Sequence, residues 1–90
     1  MDRLALEGEI DMAVADDLLV DLLERVVGDP SPTLEIDCSR LTFIDSSGLA
    51  MLVALRTKTA KRLVLHSIPD NCRQPFAITH LDAVFVLRDE

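Results

Sequence analysis

The hydrophobic period of this 90-residue chain switches back and forth between two and about 3.6 residues, and that alternation leaves few architectures open. Over residues 3–7, Leu4 and Leu6 stand opposed to Arg3 and Glu7, which suits a short strand, and Gly8 then permits a turn. From about Ala13 to Val27 the spacing becomes helical. Ala15, Leu18, Leu19, Leu22, Leu23 and Val26 form one stripe, Asp17, Asp21, Glu24 and Arg25 fall largely outside it, and Asp16 and Asp17 sit in the first turns, where negative charge is favoured. The run Gly28-Asp29-Pro30-Ser31-Pro32 ends this helix, because proline cannot continue it. Thr33 to Cys38 alternates again, with Leu34, Ile36 and Cys38 on one face and Glu35 and Asp37 on the other, so one face of the sheet is expected to meet solvent.

A second helix is expected from Ser46 to about Ala60, with a first half, Leu49 to Leu55, that is apolar on nearly every side. Ala50, Met51 and Ala54 therefore either form an exposed small-apolar patch or pack under neighbouring elements. Arg56, Lys58, Lys61 and Arg62 gather at its C-terminus, where cations complement the helix dipole. Leu63-Val64-Leu65 and Val84-Phe85-Val86-Leu87 are continuous apolar runs of the kind found inside α/β sheets. Between them Pro75 predicts a short third helix that starts at the proline or breaks there. The pattern is α/β, and ninety residues make one domain, 1–90. We expect a small mixed sheet of about four strands, with right-handed crossovers packing the helices mainly on one face.

Composition narrows the function. A net charge of -7 and a pI near 4.6 argue against nucleic acid and anionic membranes as partners, since both need a basic surface, and leave proteins. With no Trp or Tyr there is no aromatic platform for bases or sugars. Cys38 and Cys72 lack metal or redox spacing and read as small buried hydrophobes. The start Met1-Asp2-Arg3-Leu4 lacks the apolar stretch of a signal peptide, and no apolar run approaches ~20 residues, so a reduced cytoplasmic setting is expected. Asp45 and Ser46 with His66 or His80 do not make a convincing hydrolytic trio, because Gly-x-Ser-x-Gly is absent and neither histidine has context placing it near Ser46. No Gly-rich phosphate loop or metal constellation is present, so neither enzyme activity nor a cofactor is expected.

The segment Leu41-Thr42-Phe43-Ile44-Asp45-Ser46-Ser47-Gly48-Leu49 reads as a buried strand running straight into a helix start that presents two hydroxyls beside a carboxylate. Such residues are ordinary N-caps, but the free N–H groups and positive dipole end of a first turn would also favour a phosphoserine.

Asp45-Ser46-Ser47-Gly48-Leu49 before an apolar helix resembles the phosphorylation segment of STAS-domain anti-sigma factor antagonists. Leu6-Glu7-Gly8-Glu9-Ile10-Asp11 resembles that family's Gly-Glu-Leu/Ile-Asp turn, and Phe76-Ala77-Ile78-Thr79-His80-Leu81 its late helix ending, so three ordered fragments cover nearly the whole chain. The resemblance implies a STAS fold and Ser46 as phosphate acceptor. The surroundings would be formed by Asp11, Asp45, Ser47, Gly48, Leu49 and Met51, although Asp11 also reads as a plain turn or N-cap residue. It implies partner switching: the unphosphorylated form binds an anti-sigma factor with serine kinase activity and frees a sigma factor, the kinase phosphorylates Ser46, and a PP2C-type phosphatase reverses it. The alternative within the family is a docking subunit, for example of a lipid-transport ATPase, that uses no phosphate. The family normally has a strand before the Gly-Glu-Ile-Asp strand and a terminal helix. Here only Met1 and Asp2 precede the first, and the chain stops at Glu90, so an open edge and association of two copies, rising with salt, are expected.

Overall fold

The computed structural model describes residues 3–89. In chain order these form β1 (Leu4–Ile10), α1 (Ala15–Val26), β2 (Thr33–Ile44), α2 (Ser46–Thr59), β3 (Arg62–His66), α3 (Asp70–Ile78), a 3-10 turn (Leu81–Ala83) and β4 (Val86–Arg88). The strands lie in the order β1-β2-β3-β4 and every neighbouring pair is parallel. The expected mixed sheet is thus corrected to a fully parallel one. A helix between consecutive strands returns the chain to the end it started from, so each strand repeats the direction of the last. Because strand order never reverses, right-handed crossovers put the helices on one face, where α1 packs on α2 and α2 on α3.

The core lies between that face and the helices. Leu4, Leu6 and Ile10 from β1, Leu34, Ile36 and Cys38 from β2, and Leu63 and Leu65 from β3 meet Leu22, Val26, Leu49, Leu52 and Leu55. Glu35 and Asp37, on the other face of β2, are only half-buried, in keeping with the alternation. Beyond Cys38 the buried positions of β2 fall at Leu41 and Ile44, a spacing of three. The β1–β2 register shifts between Ala5 and Glu7 and again between Gly8 and Glu9, so β2 contributes an extra residue at each place. These two bulges keep Leu41 and Ile44 pointing into the core. Asp37 steadies the first of them by accepting a hydrogen bond from Ser39 N–H at 2.9 Å. Gly8 corrects the expected turn: β1 continues through it to Ile10, and its φ of 73° falls at the second register shift.

Pro75 gives another correction, since α3 runs from Asp70 through it to Ile78. The N–H that proline lacks would have met the carbonyl of Asn71, an exposed residue. The neighbouring Phe76 is fully buried and packs edge-on against Phe85, ring centroids 6.2 Å apart. Packing of Phe76 and Cys72 therefore outweighs one lost helical bond. The Thr79 hydroxyl closes the helix by donating to Pro75 O and Phe76 O. The last strand is shorter than its apolar run, because Leu81–Ala83 turns the chain before it and Phe85 is spent on the core.

Lys61, only 7% exposed, explains part of the cation cluster. Its ammonium donates to Asp29 O and Ser31 O and lies 3.6 Å from Asp29 Oδ2, tying the loop after α1 to the end of α2. Cys38 and Cys72 are buried free thiols, and burial pushes the Cys38 thiol up to about 12, which leaves it inert. β1 is an edge strand among the described residues. The exposed Glu7 and Glu9 along it are charges of the kind that discourage edge pairing. The expectations about the two chain ends rest on Met1, Asp2 and Glu90, which lie outside the described residues.

The Asp29 carboxyl is held below its ordinary value of 3.8, first by the Ser31 N–H bond and then by Lys61. A carboxyl depressed in the folded state stabilises above its unfolded pKa, and that contribution fades as pH falls through the folded value. Urea midpoints should therefore drop as pH is lowered below about 4, and Asp29→Asn should drop less over the same window. Identical pH dependence in the two proteins would contradict this role.

Candidate functional site

At the C-terminal ends of the parallel strands the chain turns into the starts of the helices, and here β1 and β2 end level with each other. Ile10 is in register with Ile44, and Asp45 N–H donates to Ile10 O at 3.3 Å, so Asp11 and Asp45 leave adjacent strands side by side. Gly48 makes the approach of α2 to this end feasible. A Cβ built there would lie 2.8 Å from Ile10 O and 2.5 Å from Ile44 Cγ1. Glycine is thus required by contact with the backbone of β1, rather than by any unusual φ.

Asp45 is the N-cap of α2: its Oδ1 accepts from Ser47 N–H at 2.9 Å and Gly48 N–H at 3.2 Å, while Leu49 N–H donates to its carbonyl at 3.0 Å. This corrects one part of the sequence argument. The amides expected to welcome a phosphate are already engaged, so an anion on Ser46 gains the dipole field but not those hydrogen bonds. Ser46 itself, the first helical residue, is exposed, and its hydroxyl has no hydrogen-bond partner among the described residues. Ser47 is half-buried and turns toward a groove of about 250 Å³ between α1 and α2. Met12, Ala15, Leu19, Ala50, Met51 and Ala54 make up most of its walls.

Asp11 forms an Asx turn, its Oδ1 accepting from Ala13 N–H at 2.9 Å while its carbonyl takes Ala15 N–H. It is therefore both a turn residue and a neighbour of the α2 start. Gly48 and Leu49 are buried and support the site from below. Met51, with 4% exposure, belongs to the core while forming the groove floor; of the small-apolar patch, Ala50 is exposed and Ala54 half-buried. Sequence reasoning missed Met12, Val14 and Phe43, which are exposed large hydrophobics at this end, Met12 by 80%. The signal was available: all three break the polar character expected of a turn or of a solvated strand face beside the helix start. The carboxylate of Asp45 is committed to amides and His66 to Glu35, so these groups hold separate structural posts. Among the described residues no three or more acids, histidines or cysteines cluster to hold a metal, and no helix is long and apolar enough to cross a membrane.

These features define a small parallel α/β domain whose helix starts carry an apolar groove beside one uncommitted serine. The chain belongs to the STAS domain family: the family model described as "Mlab, STAS domain" matches residues 1–88. Among solved structures it is similar to an anti-sigma factor antagonist from Mycobacterium paratuberculosis, with 33% identity, a TM-score of 0.79, and coverage of 96% of this chain and 74% of that one. It also shares the fold of the anti-sigma factor antagonist SpoIIAA in its unphosphorylated form, at 20% identity and a TM-score of 0.64 over 96% of this chain and 76% of that one.

Two substitutions test this geometry by denaturant unfolding. Gly48→Ala should cost roughly 1–3 kcal/mol, since the added methyl meets backbone that cannot give way. Asp45→Ala should cost about 1 kcal/mol and Asp45→Asn much less, because the amide oxygen still caps the helix. A neutral Gly48→Ala would contradict the close approach.

Proposed function

We propose that this chain is an anti-sigma factor antagonist that switches partners through phosphorylation of Ser46. The observation that carries this reading is the exposed, unbonded Ser46 hydroxyl at the start of α2, next to Ser47 and the apolar groove lined by Met12, Ala50 and Met51. The similarity to the mycobacterial antagonist over nearly the whole chain supports the general role. In the unphosphorylated state the apolar surface docks an anti-sigma factor, and a sigma factor is released. That partner, acting as a serine kinase, transfers the γ-phosphoryl of ATP to Ser46 Oγ, with loss of the hydroxyl proton and departure of ADP; a PP2C-type phosphatase hydrolyses the ester.

The electrostatics favour release. A phosphoserine brings about -1.5 to -2 charge to a surface that already holds Asp11, Asp16 and Asp45. Because Asp45 occupies the Ser47 and Gly48 amides, the phosphate stays directed outward, into the contact surface, and leaves the fold intact. Switching of this kind needs only about 1–3 kcal/mol of coupling. A second reading, a docking subunit that uses no phosphate, rests on the same apolar surface, which suits a docked helix in either case.

Incubation with ATP and the cognate kinase, followed by intact-mass and peptide mapping, should show one phosphate on wild type and on Ser47→Ala, and none on Ser46→Ala. Modification of Ser46→Ala at Ser47 would overturn the assignment. Ser46→Glu should weaken binding to the anti-sigma factor at least tenfold with little change in melting temperature; equal affinity would favour the docking-only reading. Asp11→Asn keeps an oxygen for the Ala13 N–H bond, so it should reduce binding or phosphorylation more than stability. A large stability loss with normal turnover of the folded fraction would make Asp11 a turn residue alone.

A further inference from the structure

The end of the molecule opposite Ser46 carries the reverse charge. Of the nine cations in this acidic chain four are matched: Arg25 pairs with Asp21, Arg40 with Glu7, Lys61 with Asp29, and Arg73 with Asp70 and Asp89. Arg56, Lys58 and Arg62 are exposed, and their side chains make no ion pair or hydrogen bond among the described residues. Arg56 and Arg62 line an open cavity of about 530 Å³ with Pro32, Thr33, Ala60 and the stem of Lys61. Helix-dipole compensation accounts for cations in the last turn of α2, which holds Arg56 and Lys58. It does not account for Arg62, which enters the same cavity from β3.

We propose that this cavity docks an acidic segment of a partner protein, with Arg56 and Arg62 taking its carboxylates. Two guanidiniums from different elements present planar forks suited to carboxylates on successive side chains. The walls hold no aromatic ring on which a nucleobase would stack, and the chain's net charge of -7 repels a polyanion as long as nucleic acid. Arg56 lies ten residues, about 15 Å, along α2 from Ser46. A contact here is therefore separate from the phosphate switch and goes beyond the function proposed above. It would hold a partner whether or not Ser46 is modified.

The test uses the whole chain with a blocked glutamate-rich peptide and its glutamine counterpart, read by amide chemical-shift mapping at low salt. The glutamate peptide should bind, with shifts concentrated at Thr33, Ala60 and Arg62, and affinity should fall as salt rises. Arg56→Glu combined with Arg62→Glu should weaken it at least tenfold, and Ser46→Glu should leave it unchanged. If the double reversal does not fold, Arg56→Gln with Lys58→Gln, confined to the exposed helix surface, should weaken it severalfold. Equal binding of the glutamine peptide, retention of affinity by the charge variants, or shifts centred on the start of α2 would overturn the proposal. So would displacement by equimolar orthophosphate, which would indicate a small-phosphate site instead. Failure here leaves the Ser46 reading standing, because the Ser46 variants are scored by kinase modification and anti-sigma binding.

Discussion

The contact on which the rest depends is the junction of Ile10, Asp45 and Gly48. Asp45 N–H bonds the Ile10 carbonyl, and that same carbonyl sits against the Gly48 Cα, so the end of β1 and the start of α2 lock together. The consequence is geometric. Parallel strands deliver every helix start to one end of the sheet, and this junction sets the height at which α2 begins. Asp45 can then cap the helix, Ser46 is left at the surface, and the turn containing Asp11 and Met12 falls beside it.

That arrangement makes a charge switch compatible with stability. The Ser47, Gly48 and Leu49 amides are satisfied by Asp45 before any modification, so the helix does not wait for a phosphate to complete it. A phosphate added at Ser46 finds no vacant amide among Ser47, Gly48 and Leu49 and remains part of the surface. In the proposed switch the energy of the modification would be expressed as repulsion of a partner, with little of it spent on refolding. Gly48 and Leu49 are buried and hold this surface in place from below.

Much of this was legible in the residues. The change of hydrophobic period located α1 and α2 within two residues, and the Leu34, Ile36, Cys38 alternation identified the core face of β2. What was not legible depended on pairing between distant segments. The bulges opposite Ala5 and Gly8 exist only because β1 and β2 pair in a shifting register, so Gly8 read locally as a turn. Pro75 read as a helix boundary because the compensating burial of Phe76 against Phe85 is a tertiary fact. At the site, Asp45, Ser46 and Gly48 were visible as a cap and a helix start. That Asp45 consumes the amides, and that Met12, Val14 and Phe43 share this end of the sheet, required the fold. Lys61 was grouped with the exposed cations until burial separated it from Arg56 and Arg62.

The central claim is that modification of Ser46 changes partner affinity through surface charge while the domain stays as it is. Stoichiometrically phosphorylated and unmodified protein can be titrated calorimetrically into the anti-sigma factor, with amide spectra of both forms recorded beside the titrations. The account predicts a tenfold or greater loss of affinity on phosphorylation, with amide shifts confined to the residues around the start of α2 and the Asp11 turn. Undiminished affinity, or a loss accompanied by shifts throughout the β1–β2 core, would contradict it.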